Sequence, residues 1–167
     1  KIKGRMGDVP ALNIKKTFTG LNVIQVESEM NYINYEGLLK FEVFSRKKGY
    51  RNLANIHKEK NYPDNFVESY KRYAKSLVSV NNFDGNDVDT NMELELIFLD
   101  NPLINLKESK RVLLEYQNII LTDHQVSIMS FNEDKFKKEF LKTNNEGYFN
   151  FFFKNDTKYL IESVVII

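Results

Sequence analysis

Residues 65–80 read NFVESYKRYAKSLVSV. Phe66, Val67, Tyr70, Tyr73, Ala74, Leu77 and Val78 recur at helical spacing, while Glu68, Lys71, Arg72 and Lys75 fall on the opposite side. Pro63 and Asp64 precede the stretch, and Asn65 followed by Glu68 matches a capping box. The pattern predicts a helix over 65–80. Its apolar face needs a partner, and the flanking sequence offers a sheet.

Residues 21–29 (LNVIQVESE) carry a partial alternation, and 37–45 (GLLKFEVFS) a cleaner one, with Leu39, Phe41 and Val43 on one side. Both read as strands, with RKKGYRN, 46–52, as a loop centred on Gly49. Residues 92–100 and 125–131 alternate as well. RVLLEYQNIIL, 111–121, fits a strand better than a helix. Asn132 as N-cap, with Glu133 and Asp134 behind it and Phe136, Phe140 and Leu141 as an apolar stripe, predicts a short helix over 132–142. YFNFFFK (148–154), a turn at 155–157 and KYLIESVVII (158–167) read as a hairpin. In the first arm, alternation sends Phe149, Phe151 and Phe153 to the core. The fold class that follows is α+β: a mainly antiparallel sheet of about six or seven strands, with helices 65–80 and 132–142 packed on it.

A chain of 167 residues suits one domain and can bury enough surface to fold without a metal or disulfide. Residues 1–16 (KIKGRMGDVPALNIKK) look like a tether or linker, leaving 17–167 as the domain. The 13 Phe and 9 Tyr, with no Trp, predict a core built largely from aromatic rings. No Cys is present, which removes thiol catalysis, thiolate zinc sites and disulfides. A net charge of +1, from 24 basic and 23 acidic residues, argues against dedicated nucleic-acid binding. No apolar run is long enough for a transmembrane span. The tether-like start points to an extracytoplasmic, membrane-anchored placement.

DGNDVDTNMELELIFLD, 84–100, places Asp87, Asp89, Asn91, Glu93 and Glu95 at every second position. Calcium asks for convergent oxygens and, in the EF-hand loop, a Gly at the sixth position. Counted from Asp84 the sixth residue is Asp89, and Val88 also breaks the pattern. In an extended chain, side chains on one side stand about 6.5–7 Å apart, too far for neighbours to chelate one ion. The row therefore reads as the wet face of a strand and as the best candidate contact surface, complementary to a basic protein.

Other chemistry has thin support. Neither His57 nor His124 is accompanied by a nucleophile elbow or a ligand set, and no glycine-rich phosphate loop occurs. Pro63-Asp64 with Glu108-x-Lys110 satisfies the wording of a nuclease motif, but Asp64 reads as a helix cap and Glu108 as part of a connection. No catalytic residue, metal ligand or cofactor is assigned.

The reading that results is a non-enzymatic protein-binding domain, of the inhibitor, immunity or envelope-assembly kind, acting through a sheet face. Two alternatives stand beside it. One is a metal-dependent hydrolase or nuclease using acids of 84–95, with His57 or His124. The other is an aromatic-lined small-ligand or nucleotide-binding domain, which would need exposed parallel rings flanking a cleft.

Overall fold

The structure is a computed structural model and describes residues 9, 17–132 and 135–167. The tether reading of 1–16, Val9 apart, and the helix-start signal at Glu133 and Asp134 lie outside the described residues. Eleven strands and two helices are present among the described residues, and every strand pair is antiparallel. The α+β class holds. The strands form several small sheets, however, and not one of six or seven strands.

The stretch 65–80 is not a helix. It is two strands, and with the N-terminal part of the chain it makes a long two-stranded ribbon. β1 (Gly20–Glu27) pairs with β4 (Tyr73–Val80), from Gly20↔Val80 to Glu27↔Tyr73, and β2 (Asn31–Glu36) pairs with β3 (Asn65–Tyr70), from Asn31↔Tyr70 to Glu36↔Asn65. Between the two registers, three residues, 28–30, face two, 71–72, so the ribbon carries a one-residue bulge. Ser28 closes it: its N–H donates to the Arg72 carbonyl at 2.9 Å and its Oγ accepts from the Arg72 N–H at 2.9 Å.

The bulge explains the false helical signal. Along β3 the half-buried residues are Phe66, Glu68 and Tyr70; along β4 they include Tyr73, Lys75 and Leu77. Two runs of period two, offset at 71–72, place inward-facing Phe66, Tyr70, Tyr73 and Leu77 at a spacing of four, three and four. That is the spacing of a helix stripe. Val67, Ala74 and Val78, which would complete the helical face, are exposed.

At the tip of the ribbon, α1 (Leu38–Lys47) and α2 (Leu53–Glu59) replace the strand expected at 37–45. Leu38, Phe41 and Ser45 are the buried positions of α1, at helical intervals, whereas Leu39 is 72% exposed and Val43 is exposed too. Arg46 and Lys47 in the last turn suit the negative end of the helix dipole. Tyr35, Leu38, Phe41 and Ala54 form a small core with Leu53 and Phe66, including a stacked Tyr35–Phe66 pair at 5.0 Å.

The remaining strands form two sheets. β5 (Leu94–Phe98), β6 (Lys110–Tyr116), the short β7 (Ile119–Ile120) and β10 (Tyr148–Phe151) make a four-stranded sheet, with β6 paired to the other three. β8 (Gln125–Asn132), β9 (Lys135–Lys142) and β11 (Lys158–Ser163) make a three-stranded sheet in the order β11–β8–β9. Strand is observed over 110–116, as the alternation at 111–121 suggested. The helix expected over 132–142 is the edge strand β9. The expected 148–167 hairpin is also corrected: its two arms pair with β6 and β8, in different sheets.

These sheets share one core: Val112, Leu114, Phe149 and Phe151 from the first meet Val126 and Ile128 from the second. Phe98, Phe151, Phe153 and Tyr159 contribute mutual ring contacts of 4.8–6.0 Å. The core expected to be largely aromatic is mixed, with Phe149 and Phe151 buried beside four aliphatic residues, and Phe149, Phe151 and Phe153 take the places alternation assigned to them. Phe152 faces solvent at 60% exposure. The connection after α1 ties the tip to the three-stranded sheet: Lys48 pairs with Glu162, Tyr50 Oη accepts from the Ile166 N–H at 3.1 Å, and Gln125 Nε2 donates to the Lys47 carbonyl at 2.8 Å.

Candidate binding surface

The acidic row does not form one exposed face. Asp87 and Glu95 are buried, at 7% and 3% exposure, while Asp89, Asn91 and Glu93 are exposed. The chain is not extended across the row: Asn91 sits at φ 59°, and β5 begins only at Leu94. Alternation fails even before this left-handed residue, since Val88 and Asp89 are both exposed after the buried Asp87.

Both buried carboxylates close on Lys75 of β4. Lys75 Nζ lies 3.0 Å from Asp87 Oδ1, contacts Glu95 Oε1 and donates to the Val88 carbonyl at 2.9 Å. Backbone N–H groups and the Thr90 hydroxyl supply the rest of their partners. Asp87 accepts from the N–H of Val88 at 2.8 Å and of Phe98 at 2.9 Å. Glu95 accepts from the Thr90 N–H at 3.0 Å, the Thr90 hydroxyl at 2.9 Å and the Met92 N–H at 3.3 Å. A buried charge persists only with this kind of full pairing. The ammonium occupies the place between the two acids that a cation would need, and no group of three His, Asp or Glu residues suited to a metal occurs among the described residues. The triad joins β4, the 83–93 connection and β5, so it is a clasp between ribbon and sheet.

The exposed members of the row have local roles. Asp89 Oδ1 accepts from the Asn91 N–H at 2.7 Å. Glu93 stands 3.6 Å from Lys71, which also reaches Glu27 at 3.0 Å. Burial, and then the Glu93 carboxylate, push the Tyr73 hydroxyl up to about 12. Burial, with Asp89 and Glu95 adding their charges, also raises the Glu115 carboxyl.

The two histidines sit in separate surroundings. His57 Nε2 is 2.9 Å from the Pro63 carbonyl, and its ring packs against Phe66, Tyr62 and Phe41. His124 Nε2 is 3.0 Å from the Val164 carbonyl, and burial lowers its pKa from the ordinary value. Each ring nitrogen named meets a backbone carbonyl, as a donor would. The helix-cap reading of Asp64 falls with the helix, and Glu108 lies in the turn before β6; neither is in the sheet position a nuclease acid requires.

The surface that stands out is the outer face of the three-stranded sheet. Strand register places Phe136, Lys138, Phe140 and Lys142 of β9 beside Phe131, Met129, Ser127 and Gln125 of β8. Beyond them lie Lys158, Leu160 and Glu162 of β11. Phe131, Phe136, Phe140 and Leu160 are 42%, 60%, 52% and 55% exposed. Val126, Ile128, Tyr159 and Ile161 point the other way, into the core. The Phe131 and Phe136 rings meet across the strands at 5.2 Å, tilted by 46°, and Lys138 lies 5.3 Å from the Phe140 ring centre. These rings form an open platform and not a pair of parallel walls around a cleft. All eight residues of β9 are exposed.

Sequence reasoning missed this face because helix-start signals at 132–134 outweighed the period-two placement of Phe136, Lys138, Phe140 and Lys142. Among the described residues no helix is long and apolar enough to cross a membrane. No family model matches the chain, and no curated protein and no solved structure matches it.

Proposed function

We propose that the protein is a non-enzymatic interaction domain that binds a protein partner through the outer face of the β11–β8–β9 sheet. The observation that carries this reading is the group of exposed phenylalanines on that face, set among lysines along an edge strand with no residue withdrawn from solvent. Exposed aromatic rings gathered on one face of a soluble domain mark interaction sites, and rings lose little entropy on being covered. The buried acids 87 and 95, which sequence alone would offer as part of an acidic contact ridge, are engaged inside the molecule. The contact surface moves with them, from an acidic row to a basic, aromatic one.

The test is a photo-crosslinking residue introduced at Phe140, and at Lys40 on α1 for comparison, in cells of the source organism. The proposal expects adducts from position 140 that excess unlabelled protein suppresses and the Phe136→Ser/Phe140→Ser variant does not. Equal adducts from both positions, or none from 140, would overturn it.

A further inference from the structure

We infer that the partner, on the reading just given, is held as an added strand: an extended acidic segment that pairs along the open edge of β9. Strand β9 ends its sheet, and its ladder runs to β8 alone among the described residues. An antiparallel pair uses a strand's backbone groups on one side only, so alternate N–H and C=O groups of β9 point outward over its eight residues. Such an edge binds extended peptides through main-chain hydrogen bonds, with alternate side chains giving selectivity.

Charge fixes the class of partner. KFKKEFLK, 135–142, carries four lysines and one glutamate. Two copies joined edge to edge would bring eight lysines (twice four) against two glutamates (twice one), and like charges facing across strands are unfavourable. Lysines on an edge therefore oppose self-pairing and admit a strand of opposite sign. Among the described residues Glu139 pairs with Lys137 and Asp123 with Lys142, and no ion pair involves Lys135 or Lys138. A bound strand with its acidic side chains on one face would meet Lys138 and Lys142 where that face is the outer one, or Lys135 and Lys137 where it is the inner one. A single-stranded nucleic acid would use the ring faces and leave the main-chain edge open. The eight-residue free edge favours the strand.

The experiment follows amide signals of the whole chain by NMR while adding one of three probes. These are a short synthetic peptide alternating threonine and glutamate, the same peptide N-methylated at every second residue, and oligothymidylate. The inference expects the acidic peptide to slow exchange of alternate amides within 135–142 on the order of tenfold, with more added salt weakening the effect. The N-methylated peptide and the charge-reversed Lys135→Glu/Lys138→Glu variant should both lose it. No protection from the acidic peptide would overturn strand addition, as would shifts at Phe131, Phe136 and Phe140 from oligothymidylate alone. Failure of the underlying reading looks different, because Phe140 adducts without edge protection remove only strand addition, whereas absent adducts remove the contact face as well.

Discussion

Lys75 is the residue on which the association of ribbon and sheet turns. Its side chain is 8% exposed, and those of Asp87 and Glu95 are 0% and 2% exposed. Removing the ammonium leaves two carboxylates facing each other out of water, so Lys75→Met should cost about 3–5 kcal/mol in urea unfolding. Neutralising both acids as well, in Lys75→Met/Asp87→Asn/Glu95→Gln, should recover most of the loss, because the amide oxygens still accept from the Phe98 and Thr90 N–H groups. A single variant as stable as the parent would remove the clasp from the account. Glu115 makes the opposite prediction. Its folded pKa is raised above the ordinary 4.5 by burial and then by Asp89 and Glu95, so the folded state keeps this proton to higher pH than the unfolded chain does. The stability this group supplies is full below 4.5 and is lost as pH rises through the folded value. Glu115→Gln should therefore raise Tm at neutral pH and lose that advantage at about pH 3.5, where the carboxyl is largely protonated in folded and unfolded states alike. At this scale the sequence was a poor guide to the site. Alternation marked Asp87 to Glu95 as alike, whereas 81–93 is no strand and what sets Asp87 and Glu95 apart is their contact with Lys75, a residue distant in the row.

At the scale of elements, strand periodicity was legible where burial alternates with the pleat, as in β6 and in the Phe149–Phe151 strand. It misled where two strands run on with a bulge between them. Inward residues 66, 70, 73 and 77 imitate a helix only because residues 28–30 face 71–72 across the ribbon. Deleting Glu29 would leave two residues facing 71–72 where three now stand, making the ribbon regular. One strand of the ribbon would then have to turn its buried face outward. Such a deletion should lower the urea midpoint, whereas Glu29→Ala should leave it nearly unchanged; equal effects would mean that the register break does no structural work. The helix α1 was missed for a related reason: Leu39, Phe41 and Val43 satisfy period two, while burial of Leu38, Phe41 and Ser45 satisfies the helical period and prevails.

Taken as one molecule, the described residues form two hydrophobic cores, one under the helical tip and one between the two sheets, joined by the Lys75 clasp and by the contacts of Lys48 and Tyr50. Composition anticipated rings in both cores, but not that Phe18, Phe83, Phe131, Phe136, Phe140 and Phe152 stay exposed. It could not reveal that a net charge of +1 hides a strand with four lysines to one glutamate, because balance over a chain says nothing about placement. The three-stranded sheet is thus anchored by its inner face and, at the Gln125 and Glu162 end of its outer face, by the connection after α1. Among the described residues it is open around Phe131, Phe136, Phe140 and Leu160 and along β9, and the proposed function requires that opening. Amide hydrogen exchange of the free protein, read by NMR across 125–142, tests it most directly. The account predicts slow exchange along β8 and, in 135–142, an alternation of protected amides bonded to β8 with fast-exchanging amides on the open edge. Uniform protection of 135–142, which would place another segment over that edge, would contradict it.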